Sequence, residues 1–149
     1  MDVNATATKE RPVHPDYSAP SSLPAALSSS VDQLGALLTH VTSRPAGELD
    51  LLAVEGQVRE LVAAVERASV QVVLEHLDLD APQVVIDGVV HRRVGRHEAT
   101  YLTGAGEVRV ERSLYRCGEG RAVSTVGVLG GIVDGWVTPR AAMVACFLV

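Results

Sequence analysis

VVIDGVVHRRVGRHEATYLTGAGEVRVERSLYRC, residues Val84 to Cys117, holds two hairpin signals and six of the twelve arginines. Asp87-Gly88 stands between Val84-Val85-Ile86 and Val89-Val90. A two-residue hairpin turn needs φ > 0 at both central positions, which Gly and Asp tolerate, so this dipeptide predicts a tight turn between two strands. Gly104-Ala105-Gly106 predicts a second turn, separating Thr100-Tyr101-Leu102 from the strictly alternating Val108-Arg109-Val110-Glu111-Arg112. Val108, Val110 and Leu114 share one face; Arg109, Glu111, Ser113 and Tyr115 share the other. Arg112 interrupts the apolar row and is expected near its edge. Residues 81–117 are therefore read as an antiparallel β region.

Outward from this region the chain becomes helical. Residues 1–29 are rich in Ala, Ser, Thr and Pro, with prolines at 12, 15, 20 and 24, and predict a disordered tail in which His14 and Tyr17 are incidental. Ser30 with Gln33 forms a capping-box signature, and Leu34, Leu37, Leu38 and Val41 give one apolar stripe, predicting a short helix over 30–42. Residues 47–79 predict a long helix. Leu51, Val54, Val58, Leu61, Val65, Ala68 and Val72 recur at alternating spacings of three and four, a heptad pattern. Two readings stay open for that stripe: packing on the short helix and the sheet, or a dimerising coiled coil. Asp80-Ala81-Pro82 closes the helix.

On the other side, residues 118–137 are crowded with glycine and predict a long loop. Thr138-Pro139 reads as a helix start, with Thr as cap and Pro in the first turn. The helix predicted over 138–149 then ends on the apolar run to Phe147-Leu148-Val149, without a polar last turn. The expectation is a helix lacking its partner surface, hence a chain truncated from a longer protein. The fold class predicted is α+β.

Composition narrows the functions available. The net charge of −5 divides into −7 over residues 1–80 and +2 over residues 81–149, so only the second half leaves nucleic-acid contact open. Aromatic residues are 3% of the chain, so the core must be built from Val, Leu and Ala, and few rings are available to stack on bases. Cys117 and Cys146 lack metal-ligand spacing and fit idle or buried thiols in a reducing cytoplasm. There is no secretory signal at the start, and the nine apolar-rich residues from Ala141 to Val149 fall short of the ~20 that span a bilayer. No membrane partner and no small-molecule substrate are expected.

Catalytic patterns are not found. His76, His91 and His97 share no helical face with a Cys, Asp or Glu that would build a metal shell; His91 and His97 are placed across a turn. The glycines form no phosphate-binding fingerprint, and no serine sits in a nucleophile elbow. Asp78 and Asp80 are read as solvating the helix end. What remains is an arginine set, Arg92, Arg93, Arg96, Arg109, Arg112 and Arg116. On adjacent strands these would form a basic strip that contacts phosphates, unless Glu98, Glu107 and Glu111 neutralise it across the strands.

Several of these pieces, taken in order, resemble the N-terminal part of Kra-type insertion-sequence transposases. They are Ile86-Asp87-Gly88-Val89, Tyr101-Leu102-Thr103, Gly106 to Arg112, Tyr115-Arg116, Gly131-Ile132-Val133 to Trp136, and Thr138-Pro139-Arg140-Ala141-Ala142. The resemblance covers roughly residues 70–149. It implies a DNA-cutting and joining enzyme whose three metal-binding carboxylates lie in an RNase H-like domain beyond the matched region. No catalytic residue, cofactor or metal ligand is therefore carried over, and a divalent metal is implied only for that missing domain. The chain is expected to be a non-catalytic DNA-binding or assembly fragment. The alternative is a small self-contained interaction protein that dimerises through Leu51, Val54, Val58, Leu61, Val65 and Val72.

Overall fold

A computed structural model describes residues 23–146. Most of the expected tail and the apolar end Phe147-Leu148-Val149 lie outside the described residues. The element order is α1 (Ala25–Thr42), a 3₁₀ turn (Ala46–Glu48), α2 (Leu51–His76), β1 (Gln83–Ile86), β2 (Val89–Thr103), β3 (Gly106–Arg116), α3 (Thr125–Leu129) and α4 (Pro139–Cys146). The three strands form one antiparallel sheet in the order β1-β2-β3, and the fold is α+β.

Both hairpin turns form where the residues require them. Asp87 and Gly88 take φ of 50° and 77°, and Ile86 pairs with Val89. The second turn has Gly104 and Ala105 at its tip, and Thr103 faces Gly106. Gly106 takes φ of 116°, a region essentially closed to residues with a Cβ. Thr103 Oγ1 donates to the Gly106 carbonyl at 2.7 Å and accepts from Ala105 N–H at 3.2 Å.

The turn expected between His91 and His97 is absent. β2 runs straight through both, and the local signals Val94-Gly95 are spent on a bulge: Arg93 opposes Tyr115 while Gly95 opposes Leu114. One extra residue on β2 lets a 15-residue strand follow two partners in succession.

α2 lies over one face of this sheet. Leu74 at its C-terminal end packs with Tyr101, Val108, Val110 and Val126, flanked by Val70, Leu77, Ala99 and Ile132. Each buried valine or leucine here contributes about 1.5–3 kcal/mol. Asp50, not a residue near 47, caps α2 by accepting from Ala53 N–H at 3.3 Å. α1 starts five residues before the expected Ser30 cap. Pro24 precedes it, and the Ser30 hydroxyl instead donates back to the Ala26 carbonyl at 3.1 Å inside the helix. The run Ala25-Ala26-Leu27 has good helix propensity, and Pro24 fits just before a helix start, so the segment continues the stripe backward to Leu27.

Two further expectations are corrected. The glycine-rich segment contains α3: Ser124 caps it by accepting from Gly127 N–H at 3.1 Å, and Val126 is fully buried in the core. Thr138, expected to cap α4, is buried with its hydroxyl unpartnered. Its backbone N–H instead donates to the Leu102 carbonyl at 3.0 Å, and Leu102 N–H donates to the Trp136 carbonyl at 2.8 Å. Trp136–Thr138 thus adds a short parallel contact to the edge of β2.

Candidate functional site

The six arginines do not form one strip. The segment from Leu77 to Pro82 crosses from β3 toward β1 and carries two acids into the odd-numbered face of β3. Asp78 accepts from Ser113 N–H at 2.8 Å and from the Ser113 hydroxyl at 3.2 Å. Its side chain is only 4% exposed. Arg96 then lies 3.3 Å from Asp78, 2.7 Å from Asp80 and 3.6 Å from Glu111, and Arg93 pairs with Asp80. These two arginines neutralise a structural acid pair. Of the cross-strand glutamates, only Glu111 reaches an arginine in this network.

The same segment covers part of the outer face of β3. Ser113 and Tyr115 point away from the α2 face, as their parity predicts, yet both are fully buried. The Tyr115 hydroxyl donates to the Leu79 carbonyl and accepts from Ala81 N–H at 3.3 Å. Beyond β3, Tyr115 and Val123 exchange backbone hydrogen bonds of 2.7 and 2.8 Å, which closes that edge. Asp78, read from sequence as a solvated helix end, is therefore an interior anchor.

Arg112 is drawn inward as well. It lies on the core side of β3, where Nη1 donates to the Tyr101 hydroxyl at 2.9 Å and to the Ser124 hydroxyl at 3.5 Å. Its guanidinium stands 5.6 Å from the Tyr101 ring centre. Nε is buried without a partner.

Three arginines remain exposed. Arg109 opposes Thr100 and is flanked along β3 by Glu107 and Glu111, and the next cross-strand pair is Glu98 with Glu111. That patch is acidic on balance. Arg92 and Arg116 oppose each other directly, with Gln83 on the far side of Arg92. Among the described residues no carboxylate lies within 4.0 Å of either. Like charges placed opposite each other destabilise a sheet by a few tenths of a kcal/mol up to about 1 kcal/mol, so this pair is a local cost with no internal return.

The helical stripe is divided between partners. Val54, Val58, Leu61, Val65 and Val72 are half-buried and Ala68 is buried, while Leu51 is 68% exposed. α2 packs on α1 and on β3. Val70 and Leu74, with Leu77 just past the helix end, pack against the sheet core, and Arg67 donates to the Ala105 carbonyl in the β2–β3 turn at 2.8 Å, which leaves the stripe on the opposite side, toward α1. Yet no residue of α1 is fully buried. Val31 and Leu38 on α1, and Leu51, Val62 and Val73 on α2, stay 42–68% exposed.

His91 Nδ1 is 3.0 Å from the Val89 carbonyl two residues earlier on β2, and His76 and His97 are exposed. Among the described residues no group of three or more His, Cys, Asp or Glu could hold a metal ion. Both cysteines are exposed, so of the two readings, idle or buried, the buried one does not hold. No described helix is long and apolar enough to cross a membrane. Beside Arg112, a cavity of about 380 Å³ opens between β3 and the segment from Arg121 to Gly135. Compared with models of protein families, with curated proteins and with solved structures, the chain matches none.

Proposed function

We propose that the chain is a non-catalytic assembly region, of the sort expected at the front of an insertion-sequence transposase, acting in the cytoplasm by pairing with a second copy through its helical hairpin. One observation carries this reading: an 18-residue helix that buries no residue, beside a neighbour that leaves its own apolar line bare. Leu51, Val62 and Val73 are eleven residues apart, close to three helical turns, so they form a line along α2. Val31 and Leu38, two turns apart, form another on α1. Each line lies roughly 60–70° round from the centre of its helix's apolar stripe, with Leu38 and Leu51 at the stripes' margins. Two helices in contact across a connection this short, residues 43–50, run antiparallel, and equal rotations on antiparallel helices bring both lines to the same side. Two such hairpins laid face to face make a four-helix arrangement. Sedimentation velocity at rising concentration tests it. The expected result is a dimer that becomes a monomer in Leu38→Asp/Val62→Asp with unchanged circular dichroism. A wild-type chain that stays monomeric at hundreds of micromolar defeats the proposal.

A DNA contact is the second reading, and the opposed Arg92 and Arg116 favour it. A phosphate placed between them would relieve their mutual repulsion. The prediction is salt-sensitive retardation of duplex DNA, with Arg92→Ala/Arg116→Ala lowering the slope of log K against log salt by about two. Absence of any retardation at low salt removes this reading and leaves the assembly role standing.

A further inference from the structure

We infer that the cavity between β3 and the Arg121–Gly135 segment is a binding site for a small organic oxyanion, a carboxylate or phosphate monoester, held by Arg112 and Arg121. Arg112 is positioned there without being neutralised. Its guanidinium is fixed by two neutral hydroxyls, Tyr101 and Ser124, and by the Tyr101 ring. Among the described residues no carboxylate comes within 4.0 Å of it, and its Nε has no partner. A half-buried cation normally pairs with an acid, because removal from water is otherwise uncompensated. Elsewhere on the same sheet Arg93 and Arg96 obey that rule with Asp78, Asp80 and Glu111. Arg112 has no such acid, and unlike Arg67, whose Nη1 donates to the Ala105 carbonyl at 2.8 Å, it lines this cavity.

The cavity suits an anion with an organic body. At about 380 Å³ it lies in the range of small-molecule sites. Arg121 adds a second cation to the wall, and Leu114, Val128 and Ile132 give an apolar floor. Arg121 supplies the guanidinium fork for an oxyanion, and Arg112, with Nη1 held by the two hydroxyls and Nε closed to solvent, supplies positive charge behind it. One acid, Asp134, also lines the cavity. It forms no ion pair with either arginine and sits at φ of 51°, in a bend that includes Gly131 and Gly135 at positive φ. Asp134 therefore acts as a negative wall that an incoming anion must tolerate, which gives the site a signature distinct from a structural arginine.

The test uses the full chain and three probes: inorganic phosphate, a nucleoside monophosphate and hexanoate, each titrated by calorimetry with melting temperature followed in parallel. The expected result is saturable binding of at least one organic probe, weakened tenfold or more in Arg121→Ala and strengthened several-fold in Asp134→Asn. Asn tolerates the left-handed region as Asp does, so the second variant keeps the loop. A response to the monophosphate over hexanoate identifies the phosphate form, and the reverse identifies the carboxylate form. Arg112→Met is read only for binding if its circular dichroism matches wild type. Failure of all three probes to bind, or binding unaltered in both Arg121→Ala and Asp134→Asn, overturns the inference. Neither outcome bears on the dimer.

Discussion

Asp78 lies just past the C-terminal cap of α2, between Leu77 and Leu79, and a single carboxylate there holds three elements together. It accepts from the backbone and side chain of Ser113 on β3 and pairs with Arg96 on β2. Removing it leaves a buried Ser113 N–H without an acceptor, which costs about 1–3 kcal/mol. Asp80, two residues on and half-exposed, makes ion pairs of the kind worth about 0–1 kcal/mol. Denaturant unfolding should therefore separate the two: Asp78→Ala shifts the midpoint substantially, and Asp80→Ala moves it little. Equal effects would show that the ion network, not the Ser113 bonds, carries the stability. Neither role could be read from sequence, where the two acids look alike. What separates them is which strand the connecting segment happens to cross.

Among the elements, the hairpins were legible because their turns are dictated locally. Gly88 at φ 77° and Gly106 at φ 116° stand where a Cβ is costly. Gly106→Ala is expected to destabilise by at least the roughly 1–2 kcal/mol attached to left-handed backbone, measured against Gly95→Ala. At Gly95, φ is not in the left-handed region and a Cβ meets no atom within 4 Å. α3 is the opposite case. Its capping signal, Ser124 followed by Thr125-Val126-Gly127, is present in the sequence, but the surrounding glycines mask it. Only the burial of Val126 against Leu74 and Val110 makes five residues worth ordering. Ser124→Ala should cost about 1 kcal/mol through loss of the cap, and it also removes a partner of Arg112. A thermal melt indistinguishable from wild type would show that packing alone holds the helix.

At the scale of the molecule, the chain joins a well-packed unit, the sheet with the end of α2 and α3, to a helical hairpin that is thinly buried. Stability should be uneven in consequence. If two hairpins pair, the melting temperature rises with protein concentration, because association stabilises the folded state by mass action. Hydrogen exchange in α1 should slow in step with it, while the amides of Tyr101 and Val110 change little. A concentration-independent melt with fast exchange throughout α1 would mean that the hairpin stays unpaired.

The amino-acid sequence alone determined the α+β class, both turns, the long helix and the alternation of β3, since each depends on contacts or dihedral limits within a few residues. The heptad stripe was equally visible, though not whether it faces a neighbour in the same chain or in another. Tertiary structure decided the fate of the arginines. Six positive charges that look equivalent along the strand were sorted by distant acids, hydroxyls and rings into two that neutralise Asp78 and Asp80, one that stacks on Tyr101, and three left in water. Coulombic and hydrogen-bond partners are set by distances across the fold, and no local pattern in β2 or β3 records that Asp78 comes to rest against Ser113.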